Sequence, residues 1–234
     1  MAVKQVQSAT RVLATFEALA DHQPVGVGAL ARVLDDDKSA VQRALMTLAE
    51  AGWIRRTTGD RTRWEVTTRV LALAHGAQRR TGLRERARPV LERLRDETGE
   101  TAILNVPESG QVVVLDVAES NQLVRTVPGI GLVVPPLASA AGQAILAHLP
   151  VAQLADYGVT GGYERLAAVR ARGWSVNDRD ATPGASAVGA AVLDGEGRPL
   201  ASITISGPAA RMDADVLDRL GPLVNSAAAS LSGH

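Results

Sequence analysis

No cysteine occurs in the 234 residues, which removes disulfides, thiolate metal ligands and cysteine nucleophiles together. Stability must therefore come from packing and association. The four histidines, His22, His75, His148 and His234, are scattered without metal-ligand spacing. No window reaches the roughly 18 uninterrupted apolar residues of a membrane span, and Met1–Thr10 lacks the apolar run of a signal peptide. A soluble, cytoplasmic protein with no membrane partner is expected. Lysine is nearly absent: beyond Lys4 and Lys38 every basic residue is Arg. No serine, histidine and carboxylate arrangement or phosphate-cradling glycine loop is visible either. PGIGLVVPP, residues 128–136, does not open the strand-to-helix turn of a nucleotide fingerprint. An enzyme is disfavoured on these grounds, and no cofactor or metal is expected.

What the chain does contain suits two domains better than one. Its formal charge is balanced overall but not along its length. Residues 1–80 hold 12 Lys and Arg against 8 Asp and Glu, and residues 81–234 hold 13 against 17. A mildly basic N-terminal third has the sign needed for phosphate contact.

The most informative stretch is Asp37–Trp53, DKSAVQRALMTLAEAGW. At about 100° per residue, Val41, Ala44, Leu45, Leu48 and Ala49 share one helical face, and Ser39, Gln42, Arg43 and Met46 share the opposite one. Asp37 is suited to the N-cap and Gly52 to the C-terminal cap. Lys38, Ser39, Gln42 and Arg43 put groups that bond base edges and phosphates near the helix N-terminus, as a major-groove helix requires. Taken alone, such a stretch reads more readily as an ordinary surface helix with a solvated face, since most amphipathic helices bind nothing. Its flanks shift the balance. Ala9–Ala20 repeats apolar residues at helical spacing with Ser8 as a candidate cap, and Val27–Leu34 reads as a second short helix, so three helices precede Trp53. Trp53–Arg56 and Arg61–Val66 then read as a hairpin around TTGD, carrying Arg55, Arg56, Arg61 and Arg63 against Asp60 near its tip. Arg61 and Arg63 are placed to reach a phosphate backbone as a wing. The acidic run Asp35–Asp37 pulls the other way, by phosphate repulsion.

Thr67–Gln78 reads as a short apolar helix and RRTG (79–82) as a break. Leu83–Glu100 is a charged helix with a stripe of Leu83, Ala87, Val90, Leu91 and Leu94, free to meet a second subunit or the following domain. Pro89 predicts a kink or fresh start near Ala87. Beyond Glu100 the period becomes that of strands. Thr101–Val106, Gln111–Glu119 and Leu123–Val127 read as a meander with Val112–Leu115 central. A helix of small residues follows at Leu137–Leu149, then helices near Val151–Tyr157 and Tyr163–Arg172. A strand begins at Trp174–Val176, Ser186–Asp194 and Pro199–Ser206 form a hairpin, and Met212–Leu231 reads as a closing helix.

Assembled in this order, the chain resembles the IclR-family transcriptional regulators nearly end to end. The carrying stretches are Ser8–Asp21, Leu30–Arg56, Ala87–Thr101, Pro136–Pro150, Gly173–Asp178 with Pro183–Gly184, and Ala201–Met212. The resemblance implies a two-domain α+β protein. Residues 1–78 would form a winged helix-turn-helix DNA-binding domain, 79–100 a linker helix, and 101–234 a GAF-like mixed α/β effector-binding domain. It implies a homodimer or dimer of dimers on a partly palindromic double-stranded DNA operator, acting as repressor or activator. Lys38, Ser39, Gln42, Arg43, Met46, Arg61 and Arg63 would then contact DNA.

The family's effector pocket, carried over by position, falls on Ala140, Ala141 and Gly142, on Asn177 and Asp178, on Ala187, and on Thr204 and Ser206. Small residues at a helix start let a ligand approach backbone N–H groups, and the positive helix end favours a carboxylate. Thr204 and Ser206 share one sheet face. The same small residues would also serve simply to pack that helix close to the sheet. Members often carry an acid and a cysteine where this chain has Asn177 and Ala187, and a histidine where it has Leu137. The alternative function is a small-molecule sensor that acts through a protein partner with little DNA binding.

Overall fold

A computed structural model of the chain describes residues 6–57, 62–78, 82–178, 181 and 183–233, with the backbone alone at 74–78 and 178. The chain divides into two compact units, Met1–Arg80 and Thr81–His234.

In the first unit α1 (Gln7–His22), α2 (Val27–Val33) and α3 (Lys38–Glu50) bury Leu19, Leu30, Val41, Leu45 and Leu48 in one core with Ile54 and Trp64. Each such side chain contributes about 1.5–3 kcal/mol on leaving water. Ser8 is not the cap of α1, which starts one residue earlier: the Val6 carbonyl already takes the N–H groups of Ala9 and Thr10. Asp37 does precede α3 in extended conformation, but its carboxylate takes the Ser39 hydroxyl at 2.5 Å in place of a cap hydrogen bond. At the other end Trp53 N–H reaches the Leu48 carbonyl and Gly52 N–H the Ala49 carbonyl, the paired bonds of a Schellman stop. Gly52 supplies the left-handed residue this needs, at φ +77°.

The stop leads into an antiparallel pair, β1 (Ile54–Arg56) and β2 (Trp64–Val66). Both strands are shorter than their apolar pattern suggests. Trp53 is used by the helix stop and by Thr67, and the tip 58–61, with Arg61, lies outside the described residues. α4 (Arg69–Gln78) starts two residues later than Thr67, which is tied by its hydroxyl to the Gly52 carbonyl.

The second unit is a six-stranded antiparallel sheet. It comprises β3 (Thr101–Glu108), β4 (Gln111–Ala118), β5 (Val133–Val134), β6 (Ser175–Asp178), β7 (Ala185–Leu193) and β8 (Pro199–Pro208), in the order β5-β4-β3-β8-β7-β6. The alternation of strand residues gives the sheet two chemically different faces. On one, Ala102, Leu104, Val188, Ala190, Ile203 and Ile205 pack against α5 (Leu83–Thr98) and α9 (Ala214–Ala229). The other carries Ile103, Asn105, Thr204 and Ser206 and meets α6 (Ala140–Leu146), behind which lie α7 (Val151–Leu154) and α8 (Tyr163–Arg172).

Three expectations are corrected here. α5 runs unbroken through Pro89, because Ala87 and Leu91 on either side of it are fully buried against the sheet and hold the axis across the missing N–H. Its stripe meets the sheet that follows it, one of the two expected partners. Leu123–Val127 forms no strand; Leu123 is 95% exposed, and the outer edge of β4 is paired by Val133–Val134 instead. Val112–Leu115 is therefore not central: β3 and β8 are. A bulge between β3 and β4 pairs Leu104 with Asp116 but Asn105 with Val114. The nearly buried Asp116 is clamped by Arg84 and Arg88 of α5, each at 3.3 Å.

α9 approaches the sheet closely at Gly221, whose Cα lies under the Trp174 indole; an added methyl would overlap the ring. In an ordinary helix interior Gly→Ala stabilises by roughly 1 kcal/mol. Gly221→Ala is expected to do the reverse and cost about 1–3 kcal/mol, read from the urea midpoint. An unchanged or raised midpoint would mean that Trp174 has room to move.

Candidate functional site

Two sites emerge, one in each unit. On α3 the back is sealed by Ala40, Val41, Ala44, Leu45 and Leu48, so the opposite side must face outward. Lys38, Ser39, Arg43 and Met46 are exposed and Gln42 is half-buried. The front is partly ordered before any partner arrives: Arg43 donates to the Ser39 hydroxyl at 3.2 Å, and Ser39 donates to Asp37. That hydroxyl is the main cause holding the Asp37 carboxyl below its ordinary range.

Arg63 is exposed on the hairpin. Arg56 was missed as a linking residue. Its guanidinium lies 5.0 Å over the Trp64 ring and reaches Met46 sulfur at 3.6 Å, joining wing to helix front. Arg55 is less available than a bare hairpin arginine, since Glu65 directly across the ladder takes it at 2.7 Å. The acidic run is largely engaged as well: Asp36 pairs with Arg11 of α1 at 2.6 Å.

In the second unit a cavity of about 300 Å³ opens on the polar face of the sheet, a size that holds a small organic molecule. Of the residues singled out beforehand, Ala140, Ala141, Asn177, Ala187, Thr204 and Ser206 line it. Gly142 does not: it packs on the backbone of Pro136, where any side chain would collide. Asp178 ends β6, and its side chain lies outside the described residues. Leu137 sits with the apolar cluster of α7 and α8 and against Gly162, apart from the cavity.

The start of α6 is fixed from several sides. Ser139 caps it, accepting from Gly142 N–H at 3.0 Å and donating to the Pro135 carbonyl at 2.7 Å, while Ser175 of β6 donates to the Ala140 carbonyl at 2.6 Å. The small residues thus serve both readings, close packing at Gly142 and a cavity wall at Ala140 and Ala141.

Asn105 was overlooked. It is 2% exposed, lines the cavity, and donates to Thr204 Oγ1 at 3.2 Å. The signal was present in TAILNV, a carboxamide inside an otherwise apolar strand. The outer wall comes from the irregular run before β5, through Thr126, Pro128 and Leu132. Arg211 anchors that run, gripping the buried Glu100 at 2.6 and 3.0 Å and the Val124 carbonyl at 2.9 Å.

Comparison with known proteins agrees in both units. The family model for the IclR helix-turn-helix domain matches residues 8–58, and that for the bacterial transcriptional regulator IclR C-terminal region matches 75–165 and 162–233. The HTH-type transcriptional regulator BhcR of Paracoccus denitrificans is 31% identical, over 97% of this chain and 86% of its own length. The transcriptional repressor IclR of Escherichia coli is 28% identical, over 97% and 89%. A crystal structure of an IclR transcriptional regulator from Alicyclobacillus acidocaldarius superposes with a TM-score of 0.80 at 20% identity, covering 97% of this chain and 98% of the other, which shows the fold.

The packing at Gly142 is directly testable. Gly142→Ala would drive a methyl into the Pro136 backbone, which cannot yield as a flexible side chain would. A loss of about 1–3 kcal/mol in thermal or urea unfolding is expected; stability equal to the parent would show that Pro136 does not hold the helix start.

Proposed function

The chain belongs to the IclR family of bacterial transcriptional regulators, and from that premise we propose how this member reads its operator and senses its effector. It is a DNA-binding regulator with an N-terminal helix-turn-helix and a C-terminal effector domain, and its relatives are regulators of transcription rather than enzymes. Among the described residues no helix is long and apolar enough to cross a membrane; in this reading the protein works in the cytoplasm, where its operator is.

In the proposed mechanism α3 enters the major groove. Lys38, Ser39, Gln42, Arg43 and Met46 face the bases and adjoining phosphates, and Arg63, with Arg61, meets the backbone beside the groove. The carrying observation is the asymmetry of α3: a back sealed by apolar residues and a front that presents Arg43 already steadied by Ser39. A lone winged module makes few contacts, so useful affinity comes from tethering two of them. The working form is accordingly a homodimer or dimer of dimers on a partly palindromic operator. A purely protein-directed sensor is less well supported, because α3 presents Lys38 and Arg43 outward and one of the three carboxylates before it is neutralised by Arg11.

The effector is a small organic molecule held in the sheet cavity by Ala140, Ala141, Asn177, Ala187, Thr204 and Ser206, with a carboxylate favoured beside the first turn of α6. Its influence leaves through α5, the helix that follows the DNA-binding unit in sequence and grips Asp116 across the bulge from Asn105. A coupling of roughly 1–3 kcal/mol would change operator affinity about 5- to 150-fold, enough for a switch.

Arg43→Ala is expected to weaken binding to the specific operator by about 1–3 kcal/mol while sparing non-specific DNA. Arg63→Ala should weaken binding to all sequences and lower the salt slope by about one. Fluorescence anisotropy on operator and scrambled duplexes across a salt series separates the two. Wild-type operator affinity in Arg43→Ala would remove α3 from base reading.

A further inference from the structure

We propose that Asn105 selects the effector, by requiring a hydrogen-bond donor, a hydroxyl or N–H, at the end of the molecule that meets β3. The inference rests on the reading of the sheet cavity as the effector site and adds to it a demand on ligand chemistry.

Asn105 is buried and lines the cavity. Regular alternation along β3 puts it on the face of Ile103, and the bulge, which lies on β4, brings Val114 to that same face. Pairing slips between Leu104 and Asn105, so that Leu104 stays with Asp116 and Asn105 joins Val114, itself a cavity residue. One N–H of the carboxamide donates to Thr204 Oγ1 at 3.2 Å, and the second can serve a ligand acceptor. The carbonyl oxygen accepts no hydrogen bond among the described residues, and only a donor can satisfy it.

The surroundings sharpen this demand. Ile103, Val114 and Val134 make the neighbouring wall apolar and offer no side-chain donor. A ligand that brings a donor satisfies the Asn105 carbonyl; one that brings only an ether or methyl group buries that oxygen without a partner. The class that fits is a small organic molecule carrying a hydroxyl or N–H at the end that meets β3.

The test uses the full chain and two isomeric probes, 3-(hydroxymethyl)benzoate and 3-methoxybenzoate, which differ in whether the distal oxygen carries a proton. Calorimetry on the wild type is expected to give the alcohol at least about tenfold tighter binding than the ether, since the ether strands a buried acceptor. Asn105→Leu, close in volume, should bring the two probes within about twofold of each other, and Asn105→Ala should do the same should the leucine variant fold poorly. Equal affinity of the two isomers for the wild type would overturn the role of Asn105 and leave the effector cavity standing. A preference kept intact in both variants would also overturn it. Failure of both probes to bind the wild type would sink the proposal together with the cavity reading. A third probe, 3-(hydroxymethyl)benzamide, checks the carboxylate separately: binding equal to that of the acid removes the carboxylate preference but not the donor requirement.

Discussion

The second unit depends on one constraint, the strict alternation of side chains along β3, β7 and β8. Alternate steps toward α5 and α9 close into a continuous core of Leu, Ile, Val and Ala. Ile103 apart, the steps between them named here are small or polar: Thr101, Asn105, Gly189, Thr204 and Ser206. A face of that kind cannot be packed dry by large apolar side chains. α6 approaches it on alanines and glycine, and what remains between helix and sheet is a cavity with carboxamides and hydroxyls in its walls. Strand period thus produces a packed scaffold on one side and a cavity on the other. Neither is possible if the register slips by one residue.

The first unit applies the same logic with the helical period. α3 is held by its buried back and stopped cleanly by Gly52, and the Arg69 side chain adds a further restraint by donating to the Ala51 carbonyl and stacking 4.8 Å over Trp53. Rigid mounting matters because base contacts tolerate little misplacement. The charges on the front are few, and of the neighbouring acids Asp36 is neutralised by Arg11 of α1.

Much of this was legible in the sequence because it is periodic. The three helices, the turn before α3, the Gly52 stop and the β7–β8 hairpin all follow from spacing and from glycine placement. What was not legible depends on contacts distant in sequence. Pro89 looked like a break, yet the burial of Ala87 and Leu91 carries α5 across it. Leu123–Val127 has the composition of a strand, but the edge of β4 is taken by Val133–Val134 and the segment is left exposed. Glu65 was passed over as the partner of Arg55, a pairing visible only once the hairpin register is known. The cavity was found through small residues and alternating hydroxyls. Asn105 was missed because a carboxamide within an apolar strand does not show by itself which sheet face is lined with polar groups; the pairing of β3 with β8 does. Gly142, selected with Ala140 and Ala141, turned out to serve packing.

The central claim is that what fills the sheet cavity biases DNA binding by α3. It can be tested without knowing the effector, by using a side chain as a permanent occupant. Ala187 lines the cavity from β7, and Ala187→Leu places added apolar volume there. The measurement is operator affinity by anisotropy, on a variant shown to keep its native melting temperature and oligomeric state. The account predicts a change of at least about fivefold from the parent, the lower bound of an allosteric coupling. An operator affinity equal to the parent's, in a folded protein with the cavity filled, would contradict it.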